Sequence, residues 1–279
     1  MLIVSAAVFV LELAGAALTN SLALLADAGH VLADLVGMAI SLFAIWLAAR
    51  PASDARTFGY YRAEILAAVV NSVLLFGIAA YVLLEALRRL AGPPNVSSAA
   101  MLVLAAAALG GNLFSAWLLH DVQRLSLNLR GAFLEVLSDA AASAAVILAA
   151  LLIVTTGFTL ADPLASALIA ILILPRTWRL LREATNVLLE ATPHDVEMAH
   201  VRRHILETPG VVDAHDLHVW TITSGMNVVS AHVMLRDDAD PPTVLRCLAE
   251  CLREDFDIEH STFQLETGDH HRIEAFLHR

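Results

Sequence analysis

Residues 25–46 read LADAGHVLADLVGMAISLFAIW, and the interpretation of the whole chain begins with this stretch. It is apolar and long enough to cross a lipid bilayer, which takes about 20 residues of α-helix. It nevertheless contains Asp27, His30 and Asp34. Ionisable side chains are costly at membrane depth, so each of the three is a candidate functional residue.

A second apolar stretch, residues 133–153, repeats this arrangement in FLEVLSDAAASAAVILAALLI. Glu135 and Asp139 are four residues apart, as are His30 and Asp34, so each pair lies on one face of its helix. If the two helices face each other, one imidazole and three carboxylates meet, and this set suits a divalent cation in a tetrahedral or nearly tetrahedral site. The alternative is a buried polar network that only fixes helix packing.

The composition divides the chain into two parts. Hydrophobic residues make up 58% of the 279 residues, which is typical of a membrane protein. Residues 1–189 carry ten Arg against eleven acidic residues, whereas residues 190–279 carry seven Arg against seventeen acidic residues and ten of the twelve His. We therefore expect a transmembrane domain over 1–189, a cytoplasmic domain over 190–268 and a flexible tail over 269–279. The acidic surplus disfavours nucleic acid and favours cations.

Apolar runs predict six transmembrane helices. We place them at 1–18, 24–49, 63–90, 97–121, 131–155 and 163–187. If the N-terminus lies inside, the cytoplasmic connections hold eight Arg and the outer connections hold only Arg88 and Arg89. This asymmetry follows the positive-inside rule, so both termini are predicted in the cytoplasm of a multi-pass protein of the cell inner (plasma) membrane.

Residues 190–268 predict a small α+β domain with the element order αββαβ and its helices on one face of the sheet. The segments VVDAHDLHVWTIT and NVVSAHVMLR alternate in polarity on either side of Ser224-Gly225, which indicates a hairpin. Cys247 and Cys251 lie in the second helix, four residues apart. Because this is not a C-x-x-C spacing, we expect the two thiols to pack as small hydrophobic groups.

Several stretches together resemble the cation diffusion facilitator family, and within it the bacterial zinc, cobalt and cadmium efflux branch. They are LLADAGHVLADLVG, TFGYYRAEILAAVVNSVLL, GGNLFSAWLL, SLNLRGAFLEVLSDAAASAAVI, ADPLASALIAILIL and HDLHVWTITSGMNVVSAHV. The resemblance covers essentially the whole chain. It implies six helices, a metallochaperone-like cytoplasmic domain, a homodimer, and export of Zn²⁺ or another divalent metal from the cytoplasm in exchange for protons.

This chain differs from the zinc members of the family at one predicted ligand. Those members usually carry His at the first ligand position of helix five, where this chain has Glu135. A carboxylate is a harder ligand than imidazole, so we expect the site to tolerate Zn²⁺ with a weaker bias against Mn²⁺, Fe²⁺, Co²⁺ and Cd²⁺. Asp27, one turn before His30 near the outer end, is expected to guide ions or to face water.

The cytoplasmic domain offers a second set of candidate metal ligands, namely His215, His232, His260 and Glu266. The predicted hairpin places His215 and His232 on neighbouring strands. The resemblance implies that homologous positions help to build cytosolic metal sites near the dimer interface. A structural role is the alternative for each of these side chains.

Other functions make different demands on the sequence. A membrane metalloenzyme would need His boxes, Glu-x-x-His pairs or a His-Glu-x-x-His motif, and the apolar stretches contain none of these. We therefore predict that the protein is not an enzyme. A membrane-anchored metal sensor without transport is the remaining alternative. The expected partners are divalent metal ions, protons, the lipid bilayer and a second copy of the chain.

Overall fold

A computed structural model describes residues 2–124 and 127–266 of the protein, so the predicted tail lies outside the described residues. The chain forms two compact units, which are described in turn. They comprise Met1–Phe43 with Ala67–Leu181, and Ala44–Leu66 with Arg182–Arg279.

All six predicted transmembrane segments are α-helices that are long and apolar enough to cross a membrane. They are α1 (Leu2–Thr19), α2 (Leu22–Ala48), α3 (Ala63–Ala91), α4 (Ser98–His120), α5 (Leu127–Thr156) and α6 (Ala161–Leu188). A single 3₁₀ turn at Val122–Arg124 precedes α5. The start of α5 at Leu127 is earlier than the predicted residue 131, so residues expected in the connecting loop belong to the helix.

The bundle packs through small side chains. Its core includes Ala23 and Ala26 of α2 and Ala149 and Ala150 of α5, all buried. Large apolar side chains such as Trp117 are exposed instead. Such an outer surface is suited to lipid, and close helix packing through small residues is usual in membrane bundles.

Two glycines of α2 leave room for side chains of α3. A Cβ atom on Gly29 would lie 2.6 Å from Ile78 Cγ2, and one on Gly37 would lie 2.7 Å from Asn71 Nδ2. Neither distance is possible for a real Cβ atom without a shift of the neighbour. These glycines flank His30 and Asp34, so the close contact fixes the part of α2 that carries the predicted ligands.

The N-terminus of α2 is capped from another helix. Asp162, at the start of α6, accepts hydrogen bonds from the Ser21 hydroxyl at 2.5 Å and from the backbone amides of Leu22 and Ala23 at 2.9 and 3.1 Å. Its carboxylate satisfies amides that have no partner inside α2 and lies at the positive end of the helix dipole. This bond network ties the starts of α2 and α6 together.

The second unit contains a three-stranded sheet with strand order β1-β2-β3. Its elements are α7 (Met198–Glu207), β1 (Val211–Thr223), β2 (Met226–Leu235), α8 (Pro241–Phe256) and β3 (His260–Glu266). Strands β1 and β2 form the predicted antiparallel hairpin, whereas β2 and β3 are parallel. A parallel pair needs a crossover connection, which α8 supplies. The predicted αββαβ order is confirmed.

Both helices of this domain pack on the same face of the sheet. Val229, Ala231 and Val233 of β2 belong to one buried core together with Ile205 of α7 and Leu248 of α8. Side chains alternate between the two faces of a strand. The even-numbered residues of this segment, including His232, therefore lie on the face away from the helices.

Candidate metal centre

The two ionisable pairs of the bundle meet at one point. His30 Nε2 lies 3.7 Å from Asp34 Oδ2, 3.9 Å from Glu135 Oε1 and 3.4 Å from Asp139 Oδ1. One ligand atom from each residue lies within 4.8 Å of all the others. The structure thus brings together all four side chains that the sequence singled out, two from α2 and two from α5.

These distances are close to those of a metal site. Zn²⁺ binds nitrogen and oxygen at about 2.0–2.2 Å, which separates tetrahedral ligand atoms by about 3.3–3.6 Å. The distances from His30 Nε2 to the three carboxylates exceed this spacing by no more than a few tenths of an ångström. Among the described residues, no side chain or backbone group hydrogen-bonds to the buried Asp34 Oδ2 or His30 Nδ1. Buried polar atoms without partners are costly, and a cation or water would satisfy Asp34.

The cluster is partly accessible. The exposed fraction of the four side chains runs from 10% for His30 to 26% for Asp34. His30 and Asp34 line a cavity of about 320 Å³, together with Asn71 of α3 and Thr177 and Leu180 of α6. The cavity therefore extends from the cluster to the C-terminal half of α6.

Arg176 of α6 lines the same cavity and pairs with Glu135. Its Nη1 atom donates to Glu135 Oε1 at 2.5 Å, and its Nη2 atom donates to Oε2. From the sequence, Arg176 was expected only to contribute a positive charge to the cytoplasmic side. The sequence did contain a sign of this ion pair, because Arg176 lies inside an apolar run and charged residues within a membrane are usually paired.

A second buried group of polar residues lies next to the cluster. Asp27 accepts a hydrogen bond from Ser143 Oγ at 3.1 Å, and Ser143 accepts one from Asn112 at 3.2 Å. The Glu12 carboxyl group of α1 is also fully buried in the bundle. Asp27 is 1% exposed, so the expectation that it faces water is wrong.

The cytoplasmic domain has its own cluster on the open face of the sheet. His215 and His232 are directly opposite each other in the β1–β2 ladder, with ring centroids 5.2 Å apart. Glu266, which is 1% exposed, has one carboxylate oxygen 2.9 Å from His232 Nδ1 and the other 3.5 Å from His215 Nε2. Three of the four residues proposed from the sequence are therefore brought together.

His260 does not join this cluster. It pairs with Val228 at the start of β3, whereas Glu266 pairs with Met234 at the end. Six residues of extended strand span about 20 Å. The His260 ring instead contacts Phe58 edge-on, with ring centroids 5.5 Å apart. The structure therefore does not bring His260 together with the other three candidate ligands.

Asp216 lies beside the cytoplasmic cluster. Its backbone φ angle is +48°, in an irregularity of the β1–β2 register between His215 and His218. One carboxylate oxygen lies 3.8 Å from His232 Nε2, and the other lies 3.0 Å from His218 Nε2. A β-bulge turns a side chain away from the regular alternation, which period-two reasoning cannot foresee.

Two family models match the chain in succession. The cation efflux transmembrane domain matches residues 1–189, and the cytoplasmic domain of cation efflux proteins matches residues 193–268.

Similar proteins cover nearly the whole chain. The metal cation efflux system protein CzcD of Cupriavidus metallidurans is 47% identical over 96% of this chain and 85% of its own length. The cadmium, cobalt and zinc/H⁺-K⁺ antiporter of Bacillus subtilis is 40% identical over 96% and 88%. The zinc transporter ZitB of Escherichia coli is 37% identical over 98% and 88%.

A solved structure is also similar. The metal-bound C-terminal domain of the CzcD transporter from C. metallidurans is 43% identical, with a TM-score of 0.25. The match covers 25% of this chain and 99% of that domain.

The fold and the buried ionisable cluster define a multi-pass membrane protein of the ion-transporting class. The chain belongs to the cation efflux family, which confirms the resemblance to the cation diffusion facilitators. It is accordingly a divalent-metal efflux transporter and not an enzyme, so the metalloenzyme and sensor alternatives are set aside.

Proposed function

We propose that this transporter exports Zn²⁺ through a site formed by His30, Asp34, Glu135 and Asp139. The observation that supports this most directly is the convergence of four ligand atoms within 4.8 Å of one another inside the bundle. Ionisable residues at membrane depth commonly mark the path of an ion. A site open to a cavity can also load an ion, whereas a closed packing network cannot.

Zinc is the preferred ion in this proposal, with Cd²⁺ and Co²⁺ as further substrates. Two of the three relatives named above carry zinc, cadmium or cobalt in their names. The imidazole of His30 favours Zn²⁺ over the hardest divalent ions. Three carboxylates also accept Mn²⁺ and Fe²⁺, so we expect weaker discrimination than in a site with two imidazoles.

Protons are the proposed counter-ion. A metal ligand must be deprotonated, so metal and protons compete for the same four side chains. A site that faces the cytoplasm loads metal, and a site that faces a more acidic exterior exchanges it for protons. Rocking of helices around a site within the bilayer would provide this alternating access.

The orientation follows from the arginines. We propose that both termini are cytoplasmic in the inner membrane, because eight of the ten arginines of residues 1–189 then lie on the cytoplasmic side. The C-terminal half of α6 points to that side. The cavity that reaches Thr177 and Leu180 therefore gives the site access from the cytoplasm.

The cytoplasmic domain is proposed to bind metal and to form a homodimer. His215, His232 and Glu266 provide two imidazoles and a carboxylate, which is a usual ligand set for Zn²⁺. Metal binding there would favour one arrangement of the dimer and so regulate transport. His260 is not part of this proposed set.

Metal flux into proteoliposomes tests the proposal. Purified protein in vesicles with a pH gradient should take up Zn²⁺, and collapse of the gradient should stop uptake. His30→Ala and Asp139→Asn should each abolish uptake, because the first removes a ligand and the second replaces a charged carboxylate with a weakly binding neutral amide. Asp54→Asn is the matched control, since Asp54 is an exposed carboxylate outside the site. Uptake by either site variant at the rate of the unchanged protein would refute the site.

A further inference from the structure

A third group of metal-ligating side chains lies on the helical layer of the cytoplasmic domain. Cys251 and Asp255 are one helical turn apart on α8, and His204 faces them from α7. The buried side chains of Ile205 and Leu252, next to these residues, belong to the core that holds α7 against α8. The group is therefore built on two rigid elements, which positions ligands better than a loop does.

The three side chains are already close to ligand spacing. His204 Nε2 lies 3.4 Å from Asp255 Oδ2, and the Cys251 thiol lies 3.6 Å from the same oxygen. All three ligand atoms lie within 4.8 Å of one another. Zinc binds sulfur at about 2.3 Å and nitrogen or oxygen at about 2.0–2.2 Å, so tetrahedral ligand atoms lie about 3.3–3.6 Å apart.

The ring of His204 is oriented for binding through Nε2. Its Nδ1 atom lies 3.0 Å from the backbone oxygen of His200, which can only accept a hydrogen bond. The proton therefore belongs on Nδ1, and the lone pair of Nε2 is directed toward Cys251 and Asp255. Metal-ligating histidines are typically held in this way by a backbone carbonyl. Edge-on contact with Phe256, at 5.0 Å between ring centroids, further restricts the ring.

The chemistry of the group selects a class of ion. A cysteine sulfur favours Zn²⁺ and other thiophilic cations over Mg²⁺, Ca²⁺ and Mn²⁺. Three protein ligands leave a fourth position for water. The His204 side chain is 36% exposed and that of Asp255 is 53% exposed, so ions can reach the group from solution.

We propose that His204, Cys251 and Asp255 form a surface metal site of the cytoplasmic domain for Zn²⁺ or another thiophilic divalent cation. The site is separate from the cluster of His215, His232 and Glu266, because α7 and α8 cover the opposite face of the sheet. It also differs from the transport site, which contains no sulfur. Cys251 therefore has a role beyond the packing that its spacing from Cys247 suggested.

Cobalt spectroscopy of the full-length protein tests this site. Co²⁺ stands in for Zn²⁺, and a cysteine thiolate bound to Co²⁺ gives a charge-transfer absorption band in the near ultraviolet. The chain has two cysteines, so the source of the band can be assigned. We expect reduced, detergent-purified protein to show the band and Zn²⁺ to remove it. Cys251→Ser should abolish the band, and the matched variant Cys247→Ser should retain it.

The variant His204→Gln, which keeps both thiols, provides a second and independent measurement. We expect it to weaken Co²⁺ binding, followed through the same band, by about tenfold or more. The proposal is overturned if the unchanged protein shows no band, if Cys251→Ser keeps it, or if Cys247→Ser alone removes it. Neither the transport site nor the sheet cluster can produce a thiolate band. Failure here is therefore distinct from failure of the proposed transport function, which the flux measurement reports.

Discussion

Arg176 of α6 holds Glu135 of α5 in a two-pronged ion pair, with Nη1 2.5 Å from Oε1. Glu135 Oε1 is also the oxygen that lies 3.9 Å from His30 Nε2. One proposed metal ligand is thus already paired with a cation of the protein itself. If Glu135 binds the transported ion as proposed, the guanidinium group and that ion compete for this carboxylate.

Replacement of the guanidinium group should strengthen metal binding. We expect Arg176→Gln to lower the Kd for Zn²⁺ severalfold, because the guanidinium group then no longer competes with the ion for the Glu135 carboxylate. Isothermal titration of purified protein that lacks the cytoplasmic ligands His215, His232 and Cys251 would measure this effect.

Arg179→Gln is the matched control for this measurement, because Arg179 is an exposed arginine on the same helix. Its Kd should not change. An unchanged Kd in Arg176→Gln as well would show that the ion pair does not limit access to Glu135.

Glu135 should also set how well the transporter discriminates between metals. Glu135→His replaces a hard ligand with a softer one, so we expect a sharper preference for Zn²⁺ over Mn²⁺ and Fe²⁺. Competition experiments in proteoliposomes, with Zn²⁺ flux measured against each ion, would test this. If the preference stays the same, another residue determines selectivity.

The capping carboxylate of Asp162 should contribute to stability. Asp162→Ala leaves the amides of Leu22 and Ala23 without their acceptor, and loss of a helix cap costs about 1–2 kcal/mol. We expect the Tm of the purified protein to fall by about 5 °C, since each kcal/mol shifts Tm by about 2–4 °C in a chain of this size. Asp54→Ala, in an exposed loop, should leave Tm unchanged. Equal Tm values for all three proteins would contradict the capping role.

The reactivity of Cys251 should depend on Asp255. Burial, and the hydrogen bond that the thiol donates to Asp255, raise the pKa of Cys251. A raised pKa lowers the thiolate fraction at neutral pH, so alkylation should be slow there and should increase as the pH rises. Asp255→Asn removes one cause of the raised pKa, and we expect its pH profile to move to lower pH. Alkylation rates in a Cys247→Ser background would measure this, and coincident profiles would contradict it.

The sequence predicted the parts of the molecule that depend on periodicity. The length of the apolar runs was enough to predict the six helices. The spacing of four residues was enough to predict that each ionisable pair in α2 and α5 lies on one face of its helix. Because α2 and α5 place each pair on one face, only one further condition was needed, namely that the two helices meet. The predicted hairpin likewise placed His215 and His232 on neighbouring strands, where the structure pairs them directly.

What the sequence left open depends on contacts between distant residues. Asp162 lies just before the predicted start of helix six at residue 163, yet it caps a helix that begins about 140 residues earlier. Arg176 could be recognised as charged, but its partner Glu135 is fixed only by the packing of α6 on α5. Asp216 lies at a β-bulge, where alternation fails. His204 and Cys251 come together because two helices share one side of a sheet.

The position of zinc in the full-length protein would test the proposed transport site most directly. Anomalous diffraction at the zinc absorption edge, from crystals grown with Zn²⁺, locates the ion independently of the protein atoms. We predict a peak within about 2.0–2.2 Å of side-chain atoms from His30, Asp34, Glu135 and Asp139. Zinc bound elsewhere in the bundle, with these four side chains making no contact to it, would contradict the proposed transport site.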